Sequence, residues 1–343
     1  MKPIDQTVDL QGGESELLAS PSLKKINNSQ MNFCSINDVD DPKVWVEEAL
    51  ELKKEIETYG PKVYTGKSIC LLFFNPSLRT RLSMQKAAFN LGIQSFIFNL
   101  NQEGWQLEFE DGTVMNGYTS EHIKEAAGVL SSYFDAIGVR SFASLSNRED
   151  DYNEKVFNQF VKHCTIPVIN MESATLHPLQ SLADMITIKE FAKVDRPKVV
   201  LSWAPHPKAL PQAVANSFAQ WTSQMDFDFV VTHPEGYELA PEFMQGVKLE
   251  YDQQKAFENA DFIYAKNWSS YMDYGQILSQ DKKWMIDQQK MKLTNQAKFM
   301  HCLPVRRNVI VSDEVIDSQH SIVMEQAAHR VTSANLVLRK LIG

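Results

Sequence analysis

The chain is predicted to be α/β, with two doubly wound parallel-sheet domains around an interdomain cleft. Three observations predict this. Short apolar runs of strand length alternate with helix-patterned segments, the mark of parallel sheets covered by helices. The runs fall into two series, 68–74, 94–100, 135–139 and 166–170, then 198–203, 227–232, 261–265, 298–301 and 321–324. Polar and charged residues gather just after the runs, at Asn75–Arg81, Arg140, Glu172–Gln180, Ala204–Lys208, Lys266 and His301–Arg307. Open α/β sheets bind ligands beyond the carboxyl ends of their strands, so one shared cleft is expected.

The elements follow in order. Residues 1–30 are polar and lack the apolar core of a signal peptide, so they read as a loose tail or leader, with the folded chain starting near Met31. Asp41 is a suitable N-cap and Pro42 a suitable first residue for a helix from Pro42 to Tyr59. A second helix is expected from Leu82 to Leu91, just after the Asn75–Arg81 turn. A helix over 181–192 bridges the two series, and the last, Glu325 to Ile342, is long enough to cross back. The expected division is 31–180 for the first domain, completed by 325–343, and 181–324 for the second.

Composition narrows the function. In 343 residues, 43% are hydrophobic, enough for real cores, and the net charge of -9 disfavours nucleic acid or an anionic membrane as partner. No stretch approaches the length of a membrane span. Cys34, Cys70, Cys164 and Cys302 are scattered without a CxxC pair, which suits reduced thiols in a cytoplasmic protein. GxGxxG, the P-loop pattern and HExxH are all absent, so no dinucleotide, no P-loop nucleotide, no other cofactor and no metal is expected.

The strongest local signal is Ser77-Leu78-Arg79-Thr80-Arg81, at the end of a buried strand and the start of a helix. Free N–H groups and the helix dipole there favour an anion. A capped helix with exposed arginines is the plain alternative, but a cap needs one hydroxyl, not two hydroxyls and two guanidiniums. Arg140 ends the run Ala136–Val139, where a solvated Arg and a second phosphate or carbonyl contact are equally open. His177 in His-Pro-Leu-Gln is either a satisfied core histidine or a donor to a carbonyl oxygen that gains charge. His301-Cys302-Leu303-Pro304-Val305-Arg306-Arg307 closes another strand, and its two arginines suggest a second wall of the same anion site. Lys266 reads as a solvated lysine on local grounds. Trp105 in a polar loop suggests a lid or an interface. These residues alone define a transferase or binding protein for a small phosphate-containing molecule.

The segments 77–81, 177–180 and 301–307 resemble the transcarbamylases, in the same order and at similar spacing, over about 310 residues. That resemblance implies transfer of the carbamoyl group of carbamoyl phosphate to an amine, by a homotrimer with sites at subunit interfaces. Residue by residue, it implies that Ser77, the Leu78 backbone, Arg79 and Thr80 hold phosphate and that Arg140 bridges phosphate and carbonyl. His177 and Gln180 would hold the carbamoyl group, and Cys302, Leu303, Arg306 and Arg330 would complete the site. Trp105 resembles a residue lent by the neighbouring subunit. Thr80, Arg140 and His177 are the implied catalytic groups.

The amine is read from two departures. Aspartate-specific members take a Ser…Lys loop from the neighbour, and the loop around Trp105 has no such lysine in place. Ornithine-specific members carry an acidic residue facing the α-ammonium, where this chain has Lys266-Asn267-Trp268-Ser269-Ser270. Lysine would repel that ammonium. Glu172, the segment 203–207 and Ala265–Trp268 resemble the N-acylornithine branch, whose substrate keeps its carboxylate but has lost the amine charge. The resemblance makes Glu172, His206 and Lys266 the acylornithine contacts. Ser120 stands where acetyl-type members have Glu and succinyl-type members Pro, and Ile310 stands where acetyl-type members have Lys. With 232–237 and 274–278 also leaning that way, N-succinylornithine is the expected substrate. N-acetylornithine is the alternative, and a silent phosphate-ligand binding or regulatory protein is the non-enzyme one.

Overall fold

A computed structural model describes residues 31–60 and 62–343, so the expected polar tail of 1–30 lies outside the described residues. Strands β1 (Ser68–Phe73), β2 (Gln94–Asn99), β3 (Leu107–Glu108), β4 (Glu121–His122), β5 (Ala136–Arg140) and β6 (Val168–Glu172) come first. Strands β7 (Lys198–Trp203), β8 (Asp228–Thr232), β9 (Lys248–Glu250), β10 (Phe262–Lys266) and β11 (Lys298–Met300) follow. One sheet has the order β2-β1-β5-β6 and the other β11-β10-β7-β8-β9, with β3 and β4 forming a separate pair. Every pairing is parallel. The order reverses at β1/β5 in the first sheet and at β7/β10 in the second, and these reversals open the crevices where ligands bind.

Side-chain alternation builds the core on both faces of each sheet. Ile69, Leu71 and Phe73 point into one apolar cluster, and Cys70 and Leu72 into another. In the second sheet Val199, Leu201 and Trp203 join the first cluster, whereas Val200 and Ala204 face a third. The first cluster is thus continuous across both sheets. The helix Pro178–Phe191 runs through it, buried along nearly its whole length. It packs against Ala213–Ser223, Pro42–Tyr59 and the last helix, Val323–Ile342. The last helix also lies on Leu78–Asn90, so it reaches back to the first sheet.

Several elements differ from expectation, among them the short pair β3 and β4, which no apolar run announced, and the bridging helix, which starts at Pro178. The second helix begins at Leu78, four residues early, because the Ser77 hydroxyl caps it by accepting from the Thr80 N–H at 3.3 Å. The supposed anion turn is therefore that helix's first turn. Residues 321–324 are not a strand. Only Ser321 bridges to Phe299, and the apolar Ile322 and Val323 are buried as the final helix begins. Strand β9 escaped the pattern because it is a short, charged sheet edge, the usual protection against stray strand pairing. Among the described residues no helix is long and apolar enough to cross a membrane.

Candidate active site

The register of the first sheet sets two strand ends side by side. Phe73 pairs with Arg140, so the guanidinium emerges beside the start of helix Leu78–Asn90. Arg140 Nη1 donates to Thr80 Oγ1 at 3.2 Å, and Arg330 Nη2, from the last helix, donates to the same oxygen at 2.9 Å. Arg330 Nη1 donates to Gln180 Oε1 at 2.9 Å. Arg140 also lies over the Phe142 ring, 4.2 Å from its centroid. Arg79 stands half-buried with no protein acceptor for its guanidinium among the described residues. Burial, chiefly, lowers its pKa, and the nearby Arg140 adds to this. Burial likewise lowers Arg330 to about 10, which leaves it charged at neutral pH. Three guanidiniums thus surround the positive end of one helix, a strong environment for a dianion.

Glu172 ends β6 and carries the carboxylate of this wall. It accepts from Arg140 Nη1 and lies 3.3 Å from His177 Nε2. His177 is fully enclosed, and its pKa is held well below the usual histidine range by burial and then by Arg330, Arg140 and Lys266. The ring is therefore neutral, with Nε2 on the Glu172 side and Nδ1 without a hydrogen-bond partner among the described residues. Beneath it, the buried Asp184 carboxyl accepts from Gln180 Nε2 at 2.8 Å and from Gln326 Nε2 at 2.7 Å. Gln326 Oε1 in turn accepts the His301 N–H at 2.8 Å. Asp184 thus joins the first wall to a strand end of the second sheet, with its pKa pushed up to about 7 by burial.

The second wall comes from β7, β10 and β11. Lys266, the last residue of β10, is buried and donates to the Asn267 carbonyl at 2.9 Å. Its charge helps push His301 down to about 3, after the larger effect of burial. Arg306 Nε donates to His206 Nε2 at 3.0 Å, and His206 Nδ1 lies against the Lys208 backbone, 2.9 Å from its carbonyl oxygen and 3.0 Å from its nitrogen. Leu303 takes a left-handed φ of 52°, and its N–H is held by His301 Nδ1 at 2.9 Å.

A cleft of about 450 Å³ lies between these walls. Of the expected residues, Ser77, Leu78, Arg79, Thr80, Arg140, Glu172, His177 and Gln180 line it from the first wall. His206, Lys266, Cys302, Leu303 and Arg330 line the rest, and Arg306 reaches it through His206. Trp105 and Ser120 do not line it. Trp105 is exposed and donates to Glu121 Oε2 at 2.7 Å, and the Ser120 N–H meets the Gln106 carbonyl at 2.9 Å, so the two share one loop pair. The expectation that both arginines of 306–307 face the anion needs correction. Arg307 is tied to Asp313 at 2.8 Å and Asp317 at 2.6 Å. Arg81 is exposed, turned outward by the early helix start. Phe142, Asn267 and His301 line the cleft and were not singled out as site residues from sequence. Their positions one or two residues beyond strand ends were the available signal.

A loop of the second domain docks across the cleft onto the first. Tyr274 donates to Asp151 Oδ2 at 2.8 Å, and Arg148 Nη1 donates to the Tyr271 carbonyl at 3.0 Å. Gly275 holds a φ of 72°, and a Cβ there would fall 2.3 Å from the Leu145 carbonyl oxygen. Both the dihedral and the backbone clash oppose any side chain. Gly275→Ala is expected to undock this loop and lower the thermal midpoint by about 2 °C or more. Calorimetry and limited proteolysis within 268–284 check this. An unchanged midpoint with no new cleavage would show that the loop does not rest on Leu145.

Two α/β sheets that share a cleft lined by arginines at their switch points define a transferase or binding protein for a small anionic molecule. Family models place it further: residues 31–190 match the aspartate/ornithine carbamoyltransferase carbamoyl-P binding domain, and 211–341 the Asp/Orn binding domain. An N-succinylornithine carbamoyltransferase of Bacteroides fragilis is 54% identical over 312 residues, covering 90% of this chain and 98% of that protein. An N-acetylornithine carbamoyltransferase of Xanthomonas campestris is 38% identical, covering 81% and 88%. Among solved structures, acetylornithine transcarbamylase complexed with acetylcitrulline superposes with a TM-score of 0.85 at 36% identity, covering 91% of this chain and 99% of that one. The chain belongs to the aspartate/ornithine carbamoyltransferase family.

Proposed function

We propose that this enzyme transfers the carbamoyl group of carbamoyl phosphate to the δ-amine of N-succinylornithine, releasing N-succinylcitrulline and phosphate, in arginine biosynthesis. The observation that carries the reading is the convergence of Arg140 and Arg330 on Thr80 at a helix start, with Arg79 lining the same cleft, opposite a buried Lys266. Ser77, the Leu78 N–H, Arg79 and Thr80 hold the phosphate, with Arg306 and Arg330 beside it. His177 and Gln180 hold the carbamoyl group, with Cys302 and Leu303 on the far side. Glu172, His206 and Lys266 receive the acylornithine. Residues 31–180 with 325–343 form the carbamoyl-phosphate domain, and 181–324 the acylornithine domain.

The chemistry needs no covalent intermediate. The neutral δ-amine attacks the carbamoyl carbon and a tetrahedral oxyanion forms; as it collapses the C–O bond to phosphate breaks, and the departing phosphate takes the proton that the attacking nitrogen must lose. Thr80, Arg140 and His177 stabilise the oxyanion, each donor being worth about 2.7–4 kcal/mol. Holding both substrates in one cleft supplies roughly 7–11 kcal/mol more.

The acyl group is read from charge and likeness. Succinyl adds a second carboxylate, and Ser120 offers it no opposing charge. The 54% identity to the Bacteroides fragilis relative, against 38% for the Xanthomonas campestris one, supports succinyl. A solved N-acetyl-L-ornithine transcarbamylase point mutant holds carbamyl phosphate with N-succinyl-L-norvaline, at a TM-score of 0.84. Trp105 and Ser120, away from their own cleft, serve the neighbouring site of a homotrimer. The exposed Leu78, Leu82, Phe96 and Phe98 give that assembly an apolar face. A cytoplasmic setting fits the four free thiols.

The test is purified protein with carbamoyl phosphate and ornithine, N-acetylornithine or N-succinylornithine in parallel. N-succinylcitrulline is expected to form fastest. Faster N-acetylcitrulline formation would replace the acyl reading, and no product from any amine would leave a binding protein. The pH dependence follows from the charges. A lysine-like amine has a pKa of about 10.4, so about one molecule in a thousand is neutral near pH 7.5. His177 is already neutral across this range, its pKa being lowered, so raising the pH does not change its charge. The rate is therefore expected to climb from about pH 6.5 to about 8.5, as the neutral fraction of the amine grows. A flat profile in steady-state assays contradicts amine deprotonation before the slow step.

A further inference from the structure

Glu154 lies outside the cleft, between helices Arg148–Tyr152 and Lys155–His163, with a left-handed φ of 50°. Its carboxylate is turned inward onto the four-residue turn Ser173–Leu176. Oε1 accepts from Ser173 Oγ at 2.6 Å, the Thr175 N–H at 2.8 Å and Thr175 Oγ1 at 2.5 Å. Oε2 accepts from the Ala174 N–H at 3.1 Å. The turn closes on itself through the Ser173 N–H and the Leu176 carbonyl at 2.8 Å. Asn170 Nδ2 donates to the Ser173 hydroxyl at 2.9 Å, which leaves that hydroxyl's own proton for Glu154. Every group facing Glu154 here is a donor, so only an ionised carboxylate satisfies them all.

The residues flanking this turn are Glu172 and His177. Glu172 is fixed by its strand, where its carbonyl accepts from the Ser141 N–H at 2.9 Å. The His177 N–H donates to Ser217 Oγ at 2.8 Å. Between these anchors, the fold of 173–176 decides how the His177 ring stands against Glu172 and the bound carbamoyl group. We infer that Glu154 is a positioning residue for carbamoyl transfer: its carboxylate clamps the Ser173–Leu176 turn and so sets the His177 ring at the reacting carbonyl. The left-handed backbone fits this role, since a strained conformation for a non-glycine residue is kept where the surroundings fix it.

The inference rests on the carbamoyl-transfer reading, and its test separates the two. If the parent protein forms no carbamoylated product, that reading fails. If the parent is active, the clamp is tested alone. Glu154→Gln keeps the size but sets an NH₂ against one donor. It is expected to lower kcat by about 10- to 100-fold, the scale of an ångström-sized misplacement, while carbamoyl phosphate KM moves by less than about threefold. In a His177→Asn background the same change is expected to cost less than about threefold, because coupled residues are not additive. Thr175→Val removes one donor without touching the carboxylate and is the second variant should Glu154→Gln not fold. It is expected to show the same split between kcat and KM, with a loss of about 3- to 10-fold. An active Glu154→Gln protein within twofold of the parent overturns the clamp. So does an undiminished loss in the His177→Asn background, or a Thr175→Val protein with parental kcat.

Discussion

An Arg140→Leu protein is expected to lose about 10³-fold or more in carbamoyl transfer, the scale of an oxyanion donor removed together with its neighbours' alignment. The reason is the number of groups Arg140 serves at once. It donates to Thr80 and to Glu172, lies over Phe142, and is only 5% exposed. Leucine fills much of the space but leaves the Glu172 carboxylate buried without its cation. Breaking such a pair costs about 3–5 kcal/mol in general, because the remaining charge is stranded. Besides the carboxylate itself, His177, 3.3 Å away and kept neutral partly by Arg140, can take up a proton in compensation. The sign is definite: removing a cation raises the His177 pKa. The variant's His177 should therefore take up a proton at a higher pH than the parent's does. Arg140→Lys separates charge from geometry, since an ammonium cannot form the planar fork. It is expected to melt nearer to the parent than the leucine variant while still losing most of kcat. Steady-state kinetics and thermal melts across pH decide this. An Arg140→Leu protein with more than a tenth of parental kcat removes Arg140 from the transition state.

What the sequence made legible was periodic or adjacent. Strand ends were visible as apolar runs that stop, so Thr80, Arg140, His177 and Lys266 could be placed at or just past strand ends of the two sheets, around one cleft. The choice between Arg306 and Arg307 was not legible from the motif, since both follow the same turn. Asp313 and Asp317, one helical turn apart, were the signal that Arg307 had a partner of its own. The early start of helix Leu78–Asn90 was hidden because the same Ser and Thr that cap a helix also bind phosphate. Asp184 and Glu154 were missed for a different reason. Each is a single acidic residue in a helix-forming context, and only the fold shows that it is surrounded by donors. Glu172 and His206 entered through family likeness rather than pattern, because a polar residue just past a strand is common. Trp105 and Ser120 are legible as a pair only in three dimensions, where β3 and β4 bring their loops together.

Lys266→Met is expected to raise the KM for N-succinylornithine by about 10²-fold or more and to move carbamoyl phosphate KM little, since a buried charge-pair contact is worth about 2–5 kcal/mol. Lys266 is 9% exposed, and its ammonium is bonded only to the Asn267 carbonyl among the described residues. A buried ammonium with one neutral acceptor has donors to spare for a carboxylate. It stands across the cleft from Glu172, so a substrate with a carboxylate at one end and an amine at the other lies naturally between them. Free ornithine would bring its α-ammonium toward the same lysine, which is repulsive. Methionine keeps the length of the side chain and removes the charge. The variant should therefore lose discrimination as well as affinity, with the ratio of kcat/KM for N-succinylornithine over ornithine falling. Lys266→Asp goes further and is expected to shift the preference toward ornithine. The competing view is that Lys266 only holds the Asn267 turn, whose side chain donates to the Ala204 carbonyl at 2.7 Å. In that case both variants lower kcat with every amine alike. An unchanged ratio of the two amines in competition assays would take Lys266 out of substrate choice and leave acyl recognition to the neighbouring subunit's loop.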